Sequence, residues 1–430
     1  MKKIIVYLIV AVMFASCSTK LTLEQSGQLL KVYSEKNYFK LDKLMSKVEF
    51  RENNPDLLLY KATLDNVFNQ PEESTRLINL LIEKYSTHFN DTIIKDLYSM
   101  RCQNANNMED YLSAYRDECT ILEKYSHVCD SSEIETRKQD NSIFSHITNV
   151  PKMQIRKPAD SQVSLKRDMA GLFTVPINLQ NDTVDFVFDT GANVSVIVKS
   201  LAEKYKIKIL EGKALVGTST GKTVEGEIGL LDLRLGNMEI KNSVFIVFPD
   251  SALSFANGVY KIRGVIGFPI MYAFQEFILK DDKFLIVPEK PEVANDRNLA
   301  LDGAFPVILV KYKNDTLPFH FDSGANITDL TSAFFKKYKN EIVGKCKKVK
   351  RTTGGAGGTA ESVIYILDPI SLSVGDSECK LDSLRVFQKD LMGSYVKYQY
   401  GNFGQDYINK FSEMKINFVS MNINFSNKKK

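Results

Sequence analysis

Two copies of a short motif carry the residues of this sequence that are best suited to chemistry. Asp189–Asn193 (DTGAN) recurs 133 positions later as Asp322–Asn326 (DSGAN). Each copy follows an apolar run and presents a carboxyl group, a small hydroxyl side chain and a glycine in succession. The glycine lets the backbone turn tightly and bring its N–H close to the carboxylate oxygens. The hydroxyl can form a hydrogen bond across to the other copy.

The repeat extends beyond these motifs. Asn181–Asn193 and Asn314–Asn326 are identical at nine of thirteen positions, and Lys204-Tyr205 matches Lys337-Tyr338 in the same register. This pattern indicates a duplicated lobe rather than a chance similarity. Two such lobes related by an approximate two-fold axis would bring Asp189 and Asp322 face to face.

Facing carboxyl groups have a defined chemistry. At a separation of about 3 Å they do not both ionise readily, so they share a proton and titrate as a unit. One then acts as a base toward a water molecule held between them, while the other, protonated, polarises a carbonyl group. The residues therefore predict amide hydrolysis without a covalent intermediate.

The two motifs resemble the active-site signatures of aspartic proteases, over roughly residues 165–425. More narrowly, the lobes resemble the retropepsin-like branch of the pepsin and retropepsin superfamily, fused in one chain as a pseudo-dimer. The resemblance implies a monomeric endopeptidase that acts on polypeptides without a cofactor. It makes Asp189 and Asp322 catalytic, with their loops supported by Thr190, Gly191, Ser323 and Gly324.

Each lobe also has a glycine-bearing hairpin after its aspartate, where the family places a mobile flap over the substrate. The candidate flap residues are Gly217, Thr218, Ser219, Gly221, Gly354, Gly355, Gly357 and Gly358. The first hairpin also fits the G-x-S-x-G pattern of serine hydrolases. A nucleophile elbow leads into a helix, however, whereas Ile228–Leu235 is typical of a strand, which favours the flap.

Each lobe then has an element that ends in glycine, Val265–Gly267 and Asn402–Gly404, followed by a short predicted helix. In the family this element crosses under the active-site loop. Asn402 makes the second copy less regular. His320 points to the same side of its strand as Asp322. It could influence the titration of the pair, although a packed or solvated histidine is the favoured interpretation.

The N-terminal third has a different sequence pattern, because its apolar residues recur at helical spacing from about residue 22 to 145. Pro55 and Pro71 stand where helices begin. Similar amphipathic patterns recur after about 35 residues, which resembles a degenerate array of tetratricopeptide-type repeats. We expect a spacer between the membrane and the lobes more than a groove that docks a protein partner.

Beyond residue 150 the sequence predicts a polar linker and then short strands. The predicted strands include Val175–Leu179, Val184–Phe188, Ile228–Leu235, Val244–Phe248, Phe277–Leu279 and Phe284–Val287. The predicted fold is therefore multidomain, with an all-α region of helical-hairpin repeats before a mainly β, two-lobed acid-protease fold. The boundaries are 17–150 for the helical region with its linker, 151–292 for the first lobe and 293–430 for the second.

The first residues predict export. Lys2 and Lys3 precede the apolar run Ile4–Phe14, which is too short to span a bilayer, and small residues follow it. Cys17 after Phe-Ala-Ser resembles a bacterial lipobox. The resemblance implies a lipoprotein signal peptide over residues 1–16, a lipid on Cys17 and a location in the bacterial cell envelope. An ordinary secretory leader is the alternative.

Composition excludes several classes of function. The chain has 56 basic and 52 acidic side chains and a formal net charge of +4, which gives no electrostatic reason to expect nucleic acid. Its 6 cysteines form no C-x-x-C pair, and its 4 histidines lack zinc-ligand spacing, so no metal site is predicted. In an oxidising compartment, Cys346 with Cys379 is the first disulfide to test.

A second function remains open at this point. A catalytically inactive, protease-like lipoprotein could bind peptides and dock a partner through its helical region. A damaged aspartate pair would favour it, whereas both aspartates are present here. The sequence therefore favours the enzyme.

Overall fold

The computed structural model describes residues 21–218, 222–294, 296–355, 358–389 and 398–427. The predicted signal peptide and Cys17 lie outside these ranges, as do Ser219, Gly221 and Gly357. Within the described ranges, no helix is both long enough and apolar enough to cross a membrane.

The N-terminal region is helical, as predicted. Its helices are α1 (Leu23–Ser34), α2 (Tyr38–Met45), α3 (Pro55–Val67), α4 (Pro71–Tyr85), α5 (Asp91–Asn107), α6 (Tyr111–Thr120) and α7 (Ser131–Ile147). Pro55 and Pro71 are the first residues of α3 and α4, where a missing N–H costs nothing. Consecutive helices pack on one another from α3 to α7. The likeness to tetratricopeptide repeats stays a prediction.

The rest of the chain is mainly β. Up to residue 287 the strands are β1 (Gln154–Arg156), β2 (Ser161–Ser164), β3 (Lys166–Arg167), β4 (Phe173–Leu179), β5 (Asp182–Phe188), β6 (Ser195–Val198), β7 (Lys208–Gly217), β8 (Thr223–Leu235), β9 (Met238–Phe248), β10 (Ser254–Phe255), β11 (Tyr260–Lys261), β12 (Gly264–Ile266), β13 (Glu276–Lys280) and β14 (Phe284–Val287). The helices among them are α8 (Lys199–Lys204) and α9 (Phe268–Ala273).

The second half repeats this pattern. Its strands are β15 (Leu299–Asp302), β16 (Phe305–Tyr312), β17 (Asp315–Phe321), β18 (Asp329–Leu330), β19 (Lys347–Gly355), β20 (Gly358–Leu367), β21 (Ile370–Val374), β22 (Ser377–Leu381), β23 (Leu384–Phe387), β24 (Gly401–Phe403), β25 (Glu413–Asn417) and β26 (Asn422–Ser426). Its helices are α10 (Ser332–Lys337), α11 (Lys339–Lys345) and α12 (Gln405–Ile408).

Each half forms one large curled sheet. The first has the order β1-β9-β6-β12-β5-β4-β8-β7, and β8 also pairs with β9, which closes the sheet on itself. The second has the order β19-β20-β23-β18-β24-β17-β16-β21-β22. In both, the strand that precedes the aspartate runs parallel to the strand of the later glycine-ended element, as β5 with β12 and β17 with β24. The combination of a helical region and a mainly β region confirms the predicted fold class.

A third sheet joins the two halves. Its order is β2-β14-β13-β25-β26, and its central pair is antiparallel, with Phe277 opposite Ile416. Three of its strands come from the first half and two from the second. One face carries buried apolar side chains, among them Phe277, Leu285 and Ile416. The two lobes are therefore joined by backbone hydrogen bonds as well as by side-chain packing.

The segment predicted as a linker after residue 150 contains two short strands, and residues 157–160 between them are in neither a strand nor a helix. Residues 154–156 form β1 on the edge of the first sheet, and residues 161–164 form β2 on the edge of the interlobe sheet. Ser161 and Val163 are buried while their neighbours are exposed. A short polar strand at a sheet edge has only half of its residues buried, so its composition resembles that of a loop.

The disulfide that the sequence offered as the first to test, Cys346 with Cys379, is not formed, because both are free thiols. Cys346 immediately precedes β19 and Cys379 lies in β22. These two strands stand at opposite ends of the second sheet, so eight steps of strand pairing separate them. A disulfide needs the two Cα atoms within about 7 Å of each other.

The helical region packs directly on the lobes. The Asn69 side chain, just after α3, donates to the Phe418 carbonyl at 2.8 Å and accepts from the Tyr272 hydroxyl at 2.5 Å. Phe418 follows β25 of the second half, and Tyr272 lies in α9 of the first half. One polar side chain of the helical region thus bonds to both lobes.

Helix α7 lies along strand β7, the first strand of the hairpin predicted to be a flap. The Leu215 N–H donates to the Ser142 hydroxyl at 2.9 Å, and the Gln139 amide donates to the Thr223 hydroxyl at 3.2 Å. Gly212, with φ +104°, leaves space for the His146 ring where a Cβ atom would overlap it. The helical region therefore supports this hairpin through direct contacts, a role that neither the spacer nor the groove interpretation included.

We expect Ser142→Ala to loosen the hairpin without unfolding the chain. Loss of one net hydrogen bond, about 1 kcal/mol, should speed hydrogen exchange at the Leu215 amide about fivefold. Ser145→Ala is the matched control, because its hydroxyl bonds only to the Ser142 carbonyl among the contacts described. Equal exchange at Leu215 in both variants would show that the helix does not restrain the hairpin.

Candidate active site

The two aspartates stand at the ends of the two equivalent strands. Strand β5 becomes buried at Phe186–Phe188, and Asp189 follows it; β17 delivers Asp322 in the same way. The Asp189 N–H donates to the Ile266 carbonyl at 3.1 Å, and the Asp322 N–H donates to the Phe403 carbonyl at 3.0 Å. The glycine-ended elements therefore hold the start of each aspartate loop, as the family resemblance implied.

Thr190 and Ser323 join the two loops crosswise. The Thr190 N–H donates to Ser323 Oγ at 3.0 Å, and the Ser323 N–H donates to Thr190 Oγ1 at 2.9 Å. Each hydroxyl then donates to the carbonyl before the other aspartate, Thr190 to Phe321 at 3.1 Å and Ser323 to Phe188 at 3.0 Å. Both side chains are fully buried. This exchange fixes the position of one loop relative to the other.

The glycines bring each loop against the opposite carboxyl group. Within its own loop, the Gly191 N–H donates to Asp189 Oδ1 and the Gly324 N–H donates to Asp322 Oδ1, both at 2.8 Å. A Cβ atom on Gly191 would lie 2.6 Å from Asp322 Oδ1, and one on Gly324 would lie closer still to the Asp189 carboxyl. Glycine at these positions therefore lets the two carboxyl groups become neighbours.

The electrostatics of the pair favour a shared proton. The pKa of Asp189 is raised well above its ordinary value, first by burial and then by the negative charge of Asp322. Hydrogen bonds from the Gly191 and Ala192 N–H groups oppose this shift. One carboxyl group thus stays protonated where an isolated aspartate would ionise. Such a pair can supply an acid and a base at the same time.

Three further side chains support the second loop, and sequence reasoning did not assign them a role. The Asn402 amide donates to Asp322 Oδ2 at 2.9 Å. The Gln405 amide donates to the Ser323 carbonyl at 2.6 Å, and Arg167 of the first lobe donates to Gln405 Oε1 at 2.5 Å. In an alignment of the two repeats, Asn402 and Gln405 are equivalent to Val265 and Phe268. The replacement of apolar by polar residues at these positions was the sequence feature that could have indicated their role.

The flap candidates lie in hairpins where the structure describes them. Gly217 ends β7 opposite Thr223, and the Thr218 N–H donates to the Lys222 carbonyl at 2.8 Å. In the second lobe, Gly354 pairs with Thr359 and Gly355 with Gly358. Ser219, Gly221 and Gly357 lie outside the described residues. Strand β8 begins at Thr223, so the segment after the G-x-S-x-G match is a strand and lacks the helix that a nucleophile elbow needs.

Comparison with known proteins agrees with this geometry. Residues 175–270 match the aspartyl protease family. The matched segment runs from strand β4 through the Asp189 loop and the β7–β8 hairpin to helix α9. It supports an aspartic-type peptidase of the aspartic protease superfamily. No curated protein matches the chain.

In the part of the chain that the structure describes, no set of three or more His, Cys, Asp or Glu side chains is arranged to hold a metal ion. His88 and His127 are exposed and contact Asp56 and Asp91 at 3.2 and 2.9 Å. The aspartate pair is therefore the site on which a function can be argued.

We expect the crosswise bonds to be a large part of lobe-to-lobe stability. Thr190→Val should lower the free energy of unfolding by about 2–4 kcal/mol, because the buried Ser323 N–H and Phe321 carbonyl would lose their partner. Urea unfolding measures the change. Thr190→Ser keeps the hydroxyl and is the matched control. Equal midpoints for the valine and serine variants would contradict a structural role for this hydroxyl.

Proposed function

We propose that this chain is an aspartic endopeptidase that hydrolyses peptide bonds with water activated between Asp189 and Asp322. The observation that carries the proposal is the meeting of the two duplicated loops, which sets the two carboxyl groups side by side. The raised pKa of Asp189 supports it, because the pair then holds one proton. The match to aspartyl proteases over residues 175–270 supports the same reaction class.

The reaction needs no group beyond the pair and one water molecule. The ionised carboxylate takes a proton from the water as the water oxygen bonds to the peptide carbonyl carbon, and the protonated carboxyl gives its proton to the carbonyl oxygen. The carboxyl group that took the water proton then gives it to the peptide nitrogen, and the C–N bond breaks. The other carboxylate takes a proton from a hydroxyl group of the tetrahedral intermediate, so a free acid and a free amine leave and the pair keeps one proton.

The substrate in this proposal is an extended polypeptide. The β7–β8 and β19–β20 hairpins offer strand backbone that could pair with a substrate by β-augmentation. Asp189 and Asp322 are both partly accessible rather than fully buried. A chain lying between the hairpins and the two loops would therefore place a carbonyl group within reach of the pair.

We expect Asp189→Asn and Asp322→Asn each to lower kcat/KM for peptide cleavage by about 10²–10⁴-fold, since each removes an acid or base function while keeping side-chain volume. The measurement is the rate at which each variant cleaves an unfolded protein substrate, with the peptide products quantified by mass spectrometry. Asp182→Asn and Asp315→Asn are matched controls, because they are the equivalent residues at the other ends of β5 and β17 and pair with Lys204 and Lys337.

Three outcomes separate the candidate functions. Cleavage by the controls, its loss in both Asp189 and Asp322 variants and inhibition by a statine-type transition-state mimic support the peptidase. Wild-type turnover in either active-site variant contradicts the proposed chemistry. Peptide binding without cleavage by the unaltered chain would favour the peptide-binding lipoprotein instead.

We further propose that a lipid on Cys17 anchors the protein to a membrane of the bacterial cell envelope. The proposal rests on the sequence Lys2 to Cys17 and its resemblance to a lipobox. A single acyl chain gives only marginal membrane binding, so a lipoprotein anchor with several chains would account for stable attachment.

We expect Cys17→Ala to abolish incorporation of a labelled fatty acid and to release the protein from the membrane fraction. Cys129→Ala, which alters a free thiol of the helical region, should leave both unchanged. Equal labelling of the two variants would exclude Cys17 as the lipidated residue.

A further inference from the structure

The two halves of the candidate active site differ at one pair of equivalent positions. In the first lobe, Val187 of β5 lies beside Val265 of β12 in the parallel pairing. In the second lobe, the same positions are His320 of β17 and Asn402 of β24. His320 and Val187 each stand two residues before an aspartate. An apolar pair in one lobe is thus a polar pair in the other.

The polar pair reaches the aspartate of its own lobe. The Asn402 Nδ2 group donates to Asp322 Oδ2 at 2.9 Å, while the Gly324 N–H donates to Asp322 Oδ1 at 2.8 Å. Both oxygens of Asp322 therefore accept a hydrogen bond. The corresponding Val265 has no group that could donate to Asp189. Hydrogen bonds donated to a carboxylate favour its ionised form.

His320 supplies a reason for the orientation of this amide. Its side chain is only 3% exposed and lies edge-on to the Phe305 ring at a centroid distance of 4.9 Å. Among the described residues, neither His320 Nε2 nor the buried Oδ1 of Asn402 has a hydrogen-bond partner. His320 Nε2 is a potential donor and Asn402 Oδ1 is an acceptor, and the two residues are paired across the neighbouring strands β17 and β24. Buried polar atoms of this kind call for an explanation.

The charge state of His320 suits a donor role. Burial lowers the pKa of His320, and the opposing effects of the Asp322 charge, the neighbouring Asn402 side chain and the Asp302 charge are smaller. The ring is then neutral, with one N–H. If that N–H faces the amide, it can bond only to Oδ1, which turns the Nδ2 group toward Asp322.

Other ionisable groups near this site have their own partners or lie farther along the strands. Asp189 faces Asp322 across the lobe boundary. Asp329 lies opposite Asn402 on the neighbouring strand β18 and forms an ion pair with Arg385 at 2.5 Å. Asp302 acts on His320 through its charge. Among the contacts described, neither Asp302 nor Asp329 forms a hydrogen bond to Asp322, so Asn402 is the side chain outside the pair that donates to Asp322 Oδ2.

We propose that Asn402 is a positioning residue that places the negative charge of the pair on Asp322 and leaves the shared proton on Asp189, and that His320 orients Asn402. The inference rests on the proposed peptidase function and deepens it. Asp322 becomes the base that takes a proton from water, and Asp189 becomes the acid that protonates the peptide carbonyl. The two aspartates then have fixed rather than interchangeable roles.

The kinetic test replaces each polar residue by its counterpart in the first lobe. Asn402→Val removes the donor, so the acidic limb of the pH profile of kcat/KM should move to higher pH by about one unit, with KM little changed. His320→Val should move the limb in the same direction by less, since the amide remains but loses its orientation. Val265→Ala is the control, because it trims the matching residue of the first lobe without removing a donor.

A purely structural role would give a different result. In that case Asn402→Val would lower kcat at every pH, and the acidic limb of its pH profile of kcat/KM would lie at the same pH as in the wild type. That result, or a shift to lower pH, overturns the proposal. A shift of equal size in Val265→Ala would also overturn it, because the effect would then come from packing.

A second measurement does not depend on turnover or on the folding of the Asn402 variant. With aspartate labelled at its carboxyl carbon by ¹³C, NMR titration of the unaltered chain follows both groups, and Asp189→Asn and Asp322→Asn assign the signals. We expect Asp322 to ionise at lower pH than Asp189. The reverse order overturns the inference even in an active enzyme, whereas the expected order in a chain that cuts no peptide would contradict only the proposed function.

Discussion

Four buried hydrogen bonds between Thr190, Ser323 and the two strand ends hold the candidate active site together. Each loop supplies donors and acceptors that its own lobe does not satisfy. Separation of the lobes would expose these groups or leave them unpaired, and a buried unpaired group costs about 1–3 kcal/mol. The proximity of Asp189 and Asp322 is therefore a consequence of lobe pairing. Neither lobe contains the site alone.

Much of this arrangement could be predicted because the chain repeats itself. Nine identical residues among thirteen mark the two strands and loops directly, and the apolar run before each aspartate makes a buried strand the natural interpretation. Pro55 and Pro71 marked helix starts correctly, because proline at that position has a local cause. Features fixed by neighbouring residues were thus within reach of the sequence.

Features fixed by distant residues were not. The packing of α7 on β7 depends on contacts of Ser142 and Gln139 with residues 73 and 84 positions further along the chain, and no sequence periodicity indicates these contacts. The edge strands β1 and β2 resembled a linker because edge strands are short and polar. Asn402 was noticed as an irregularity of the repeat. Its role became arguable only when the strand register set it beside His320 and Asp322.

The interlobe sheet also bears on how the protein is made. Strands β25 and β26 are synthesised after both aspartate loops, yet β25 forms the central pair of that sheet with β13 of the first lobe. During synthesis, a growing chain that ends before residue 413 has both acidic loops but lacks the second-lobe strands of the sheet that joins the lobes. Under the proposed function, such a nascent chain would carry no competent hydrolytic centre. Peptidase activity would then appear only after the C-terminal strands have been synthesised, so the nascent chain would not cleave the proteins that synthesise it.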